Sequence, residues 1–207
     1  MPVDLKGKPI YEFLTTNPLI QRLRFQFGKF QITPTIFEKD IAALFVPKFM
    51  YNHPEIILKG KVSSGAAATY DMAYDSLALP AGFDLTNLRS QSKLVHECIH
   101  IYLDNLNMGS FSNYLNEAVA YTAEGVFGTL AGLLPETTAN SSNTQIFQIS
   151  YALGSEIVNN GMLAVSQTWQ DKMIETVKLS AHYGWGNRPG QTTSNQRDRG
   201  LMNNLMR

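Results

Sequence analysis

Between Thr86 and Asn107 the apolar residues Leu88, Val95, Ile99, Tyr102 and Leu106 recur at helical spacing, and Leu94, Cys98, Ile101 and Leu103 fill much of the remaining circumference. A helix that is apolar on most sides has to be enclosed by the rest of its chain, so this segment predicts a central, buried helix. Thr86 is its expected N-cap and Gly109 its expected C-terminal stop. In the middle of this apolar surface stand three groups with acid–base and ligating chemistry, His96-Glu97-Cys98-Ile99-His100. Two imidazoles four positions apart on a helix differ by about 40° in direction and about 6 Å in height, so both can face one ion. Glu97 leaves the helix roughly 100° from His96, placed to address a water beside such an ion rather than to ligate the ion itself.

The remaining residue types limit what else can hold a metal. Cys98 is the only cysteine, which excludes an internal disulfide and any multi-cysteine site. It projects about 160° from the two histidines and reads as a small buried hydrophobe. A catalytic zinc site needs three protein ligands and an open fourth position, so a carboxylate has to complete the pair. Asp104 stands about 12 Å above His96 on the same helix and can only support the site from outside. Glu117 comes 17 positions after His100, in Asn116-Glu117-Ala118-Val119-Ala120-Tyr121, where a turn and an antiparallel helix can return it to the histidines. Glu117 also has a plainer reading, as a carboxylate favoured by the dipole at a helix N-terminus. Glu124, two turns further along the same face, is either a rival ligand or a supporting carboxylate. Tyr121 is either a hydrogen-bond donor to a bound ligand or a packed aromatic.

Around this module the chain reads as one domain over residues 1–183, with a core at about 69–134 and a polar tail or strap at 184–207. In the first stretch, Thr35–Phe45 is the best helix candidate, Glu55–Val62 the best strand and Ser63–Gly65 a turn. Phe25, Phe27 and Phe30 read as core residues, and His53, beside Pro54, as a surface loop residue. Alternation of Tyr70, Met72 and Tyr74 with Thr69, Asp71, Ala73 and Asp75 predicts one strand over Thr69–Leu79. A helix over about Tyr114–Leu134, capped by Ser112 or Asn113 and stopped by Pro135, carries Gly125, Gly128 and Gly132. Glycine weakens a helix, so their presence predicts the close approach of another backbone. A polar loop at Thr137–Asn143 and helices over about Thr144–Val158 and Leu163–His182 complete the pattern. The expected fold is α+β and mainly helical, with a small sheet packed on the central helix.

Charge and hydropathy exclude several partner classes. Lys plus Arg and Asp plus Glu number 17 each, leaving no basic surplus for nucleic-acid phosphates or anionic lipid. The longest apolar stretch, Ile41–Tyr51, is interrupted by Pro47 and Lys48 and is too short to span a bilayer. The N-terminal residues lack the apolar core of a secretory signal, so a soluble cytoplasmic protein is the default expectation, and export by a signal-independent route is compatible with it.

The pairing of His96-Glu97-Cys98-Ile99-His100 with the downstream Asn116-Glu117 and Ala120 resembles the gluzincin branch of zinc metallopeptidases, which includes thermolysin-like enzymes and the zinc aminopeptidases. The resemblance spans about residues 70–130 and implies a zincin-like domain. It also implies Zn2+ held by His96, His100 and Glu117, with Glu97 as general base and a peptide or protein as substrate. The strand before the motif helix would lie along the cleft and pair with substrate backbone. His182 and Tyr183 are the candidates for the histidine and tyrosine that stabilise the oxyanion in thermolysin-like sites, their alternative being an ordinary core or surface pair. Three features depart from the pattern: a slightly short interval between His100 and Glu117, a shorter chain, and Tyr121 where thermolysin-like enzymes carry an aspartate behind a histidine ligand. The expected activity is zinc-dependent peptide-bond hydrolysis. The alternatives are a noncatalytic binding module that keeps a zincin scaffold, and hydrolysis of a bond other than a peptide.

Overall fold

A computed structural model of the chain describes residues 7–45, 57–59, 68–71, 76–80, 83–106, 112–137 and 141–180. The sequence expectations at Ser63–Gly65, His53, Gly109, His182, Tyr183 and 184–207 lie outside these residues. Helix α1 spans Gly7–Thr16, and the strands are β1 (Phe25–Phe27), β2 (Phe30–Ile32), β3 (Ile57–Lys59), β4 (Thr69–Asp71) and β5 (Ser76–Ala78). The long helices are α2 (Leu88–Asn105), α3 (Asn113–Leu130), α4 (Ser141–Asn159) and α5 (Gln167–Leu179). Among the described residues the fold is therefore mainly helical with two small sheets. Among the described residues no helix is long and apolar enough to cross a membrane.

Helix α2 is as central as its apolar circumference predicts: Leu94, Val95, Cys98, Ile99 and Ile101 are fully buried. Its cap is Asn87 rather than Thr86, because the Asn87 side chain accepts from the N–H groups of Arg89 and Ser90. Thr86 is drawn instead into a turn on Asp84, whose carboxylate accepts from both its N–H and its hydroxyl at 2.8 Å. An Asx-type turn thus competes for the residue that a capping pattern would otherwise claim.

Helix α3 starts as expected, with Ser112 accepting from the Leu115 N–H. It ends four residues before Leu134, because Gly132 takes a left-handed φ of 68° and closes a Schellman motif. In that motif the Leu133 N–H donates to the Gly128 carbonyl at 2.8 Å and the Gly132 N–H to the Thr129 carbonyl at 3.1 Å. Gly125 bears out the expected approach of another backbone, and Gly128 makes room for a side chain instead. A Cβ on Gly125 would run into the Ser150 carbonyl of α4, and one on Gly154 into the Gly125 carbonyl of α3. Gly128 meets the Tyr151 ring in the same seam. Helices α3 and α4 are thus in backbone contact, which drives the α3 face bearing Glu124 into the core.

The sheet packed on α2 corrects the single strand expected over Thr69–Leu79. That segment contains two strands, β4 antiparallel to β5, with β3 parallel to β5 on the other side, so that β5 is central among the described strands. The alternation that suggested one strand stops at Ser76, Leu77 and Ala78, all three buried, as suits a central strand covered on both faces. Strand β3 falls within the expected Glu55–Val62 segment.

Elsewhere, Thr35–Phe45 is helical but irregular, with π geometry over Ile36–Ile41 followed by a 3-10 turn at Ala42–Phe45. Helix α1 and the β1–β2 hairpin were not anticipated, although Phe25, Phe27 and Phe30 are core residues as read. The last expected helix begins at Gln167, capped by Ser166, and not at Leu163. Leu163 and Val165 bracket Gln26 of β1, the Leu163 carbonyl accepting at 2.7 Å and the Val165 N–H donating at 2.8 Å.

The α3–α4 seam yields a direct test. Gly125→Ala gains about 1 kcal/mol of helix propensity but forces a methyl into a backbone carbonyl, an overpacking that costs typically 1–3 kcal/mol or more. The expected result is a lower midpoint in urea unfolding, and a variant as stable as the parent would contradict the close contact.

Candidate metal centre

Helix α2 presents His96 and His100 on one face, and the turn into α3 brings Glu117 opposite them. The His96 Nε2 and His100 Nε2 atoms lie 3.1 Å apart. Glu117 Oε2 is 3.4 Å from the first and 3.6 Å from the second. Three ligand atoms around a tetrahedral ion at ~2.0–2.1 Å would be about 3.3 Å from one another. The observed edges fall on both sides of that value, and these three residues form a group able to hold one metal ion.

The hydrogen bonds behind the triangle make the fit chemical as well as geometric. His96 Nδ1 is 3.1 Å from Glu124 Oε2, and His100 Nδ1 is 2.8 Å from Asn116 Oδ1. An ionised carboxylate and an amide oxygen only accept, so both Nδ1 atoms donate. In the neutral imidazole that leaves both Nε2 lone pairs bare and directed at each other and at Glu117. Glu117 Oε2 is itself buried and makes no hydrogen bond. With both rings neutral, three acceptors thus converge with no donor among them, an arrangement that a cation at their centre satisfies.

The electrostatics follow from the same convergence. Burial alone would lower the pKa of His96, but the carboxylates of Glu117 and Glu124 outweigh it and raise the group to about 10. His100 is likewise raised, burial being overcome by Glu117. Against burial, His100 and His96 hold Glu117 well below the usual carboxylate range, and Lys93 and His96 do the same for Glu124. Without a metal the site therefore keeps protons as its positive charge.

Glu97 turns towards the sheet, where its Oε2 accepts from the Tyr70 N–H of β4 at 2.7 Å. Its charge also helps to raise both histidines, which places it beside the triangle. Tyr70 is fixed to α2 a second time, its hydroxyl 3.0 Å from Asp104 Oδ2, so Asp104 supports the strand beside the site. Tyr121 is a packed aromatic, edge-on to His96 with ring centroids 4.5 Å apart. Cys98 is buried, and burial first, then the Glu97 charge, push its thiol well up, which leaves it unreactive.

Two supporting residues were missed by sequence reasoning, and one was left undecided. Glu124 backs His96 and does not join the triangle. Asn116, next to Glu117, orients His100. Lys93, three positions before His96, binds Glu124 Oε1 at 2.6 Å. The signal for Lys93 and Asn116 was their place within one helical turn of a ligand. Compared with protein-family profiles, curated proteins and solved structures, the chain finds no significant match in any of the three.

The titration gives a pH test whose sign is fixed. Raised histidines contribute stability that is complete below the ordinary value of 6.5 and fades as pH rises towards about 10. The lowered Glu117 contributes above its ordinary 4.5 and loses that contribution only in strong acid. Metal-free protein should therefore lose stability between pH 6 and 8, and zinc, which replaces those protons, should raise the melting temperature more at pH 8 than at pH 6. Thermal melts with and without zinc check this, and a zinc increment independent of pH would contradict it.

Proposed function

We propose that the protein is a zinc-dependent hydrolase of peptide bonds, with a site of gluzincin type on a zincin-like scaffold. The observation that carries the reading is the convergence of His96 Nε2, His100 Nε2 and Glu117 Oε2 on one point while both Nδ1 atoms are committed to acceptors behind them. Two imidazoles and one carboxylate are a ligand set of catalytic zinc sites, which keep a fourth position for water or substrate. When bound, zinc supplies a Lewis acid for the scissile carbonyl and lowers the pKa of a water to about 7.

The chain's own residues supply the remaining steps. His96 and His100 offer fixed Nε2 lone pairs because Glu124 and Asn116 hold their other nitrogens. Glu97 is the general base: one of its oxygens is anchored by the Tyr70 N–H, and the anchored carboxylate accepts the proton of the attacking water and delivers it to the departing amine. In a gluzincin-type site the strand before the motif helix lines the cleft, and β4, tied to Glu97 through the Tyr70 N–H, holds that place. The noncatalytic alternative drew on the absence of an acidic residue at Tyr121 and on the unidentified oxyanion donor; Glu124 against His96 Nδ1 answers the first, and the oxyanion candidates His182 and Tyr183 lie outside the described residues.

The reading predicts different fates for two substitutions. Glu97→Gln should keep stoichiometric zinc and lose at least about 10²-fold in hydrolysis, whereas His96→Ala should lose the metal. A peptide-library digest with and without chelator, run beside a zinc assay, checks both. Hydrolysis that survives in Glu97→Gln would contradict the mechanism.

A further inference from the structure

Behind the histidine pair, Glu124 is joined by Lys93, a half-buried cation that the proposed chemistry does not itself use. Glu124, on α3, is 1% exposed. Its Oε2 faces His96 Nδ1 at 3.1 Å and its Oε1 faces Lys93 Nζ at 2.6 Å. The ammonium of Lys93 also lies 3.5 Å from Glu136 Oε1 and 4.2 Å from the centre of the Phe147 ring. Phe147 packs edge-on against Tyr121 at 5.9 Å, and Tyr121 packs against His96. The contacts therefore close a loop, His96 to Glu124 to Lys93 to Phe147 to Tyr121 and back to His96.

We infer that Lys93 and Glu124 act together as a positioning pair for His96, holding Nδ1–H as the donor so that Nε2 stays available to a metal. The inference rests on the metal reading above and goes beyond it. Two donors, Lys93 and His96, converge on a single side chain, and a carboxylate is the group that can accept from both at once. Taking both charges out of water is unfavourable, and a hydrophobic pair would fill the space at less cost, so packing gives no account of the choice. The backbone behind Glu124 is held too, since Gly125 is pressed against the Ser150 carbonyl. Partners of this kind fix the tautomer and orientation of a ligating histidine, and their loss typically weakens metal binding by about 10–100-fold.

Glutamine at this position separates positioning from packing. In Glu124→Gln the single amide oxygen can serve Lys93 or His96, and the cation is the stronger claimant. The amide NH2 then faces Nδ1 and drives the imidazole towards the tautomer with a proton on Nε2. Removing the competitor in Lys93→Met/Glu124→Gln frees the oxygen for His96.

Zinc affinity, measured by chelator competition on the full chain, should fall about 10–100-fold in Glu124→Gln and return most of the way in the double variant. Parental affinity in Glu124→Gln, or a double variant no tighter than the single one, would overturn the inference and leave the metal site standing. Failure of the unsubstituted protein to bind zinc would overturn both. Should Glu124→Gln not fold, histidine 15N spectra of the zinc-loaded parent decide the matter. A bare, coordinated Nε2 with a protonated Nδ1 on His96 is expected, and coordination through Nδ1 would overturn the inference.

Discussion

Three lone pairs aimed at one buried point cannot stay unanswered. His96 and His100 each commit their Nδ1 proton to an acceptor behind them, so what remains in front is electron-rich on every side. Glu117 adds a negative charge to the same point. Something positive has to occupy the space between, either protons shared among the rings and the carboxylate or a cation. The raised histidines and lowered carboxylates are the protonated answer to that demand, and a divalent ion is the other.

The architecture makes this convergence possible through the packing of α3. Its glycine and alanine surface lets α4 approach to backbone contact, which pins α3 and turns Glu117, Tyr121 and Glu124 towards α2. Helix α2 in turn is enclosed by the sheet, with Tyr70 tied to Glu97 through its backbone and to Asp104 through its hydroxyl. These two carboxylates thus hold strand β4 beside the metal triangle. The triangle, its supporting groups and the Tyr70 anchor are all held on elements rather than loops.

Much of this was legible in the sequence because it is written at helical spacing. The i, i+4 histidines, the apolar circumference of α2 and the small residues of α3 are local patterns, and each predicts its consequence from geometry alone. The partner of His96 was not legible in the same way. Tyr121 stands where a familiar pattern would place an acid, and only the rotation of α3 against α2 reveals that Glu124, three residues later, reaches Nδ1. Lys93 and Asn116 were missed for the same reason, since their roles depend on the facing helix. The strands failed differently: at three residues each they owe their existence to tertiary neighbours, as when Gln26 is bracketed by Leu163 and Val165 from the far end of the chain. Capping was misread by one residue because Asp84 captures Thr86 before the helix begins.

Anomalous diffraction at the zinc edge, from crystals grown with zinc, tests the central claim most directly. The account predicts one anomalous peak at about 2.0–2.1 Å from His96 Nε2, His100 Nε2 and a Glu117 oxygen, with a fourth direction open to solvent or substrate. A map with no peak between those three side chains, or with zinc bound elsewhere on the chain, would contradict it.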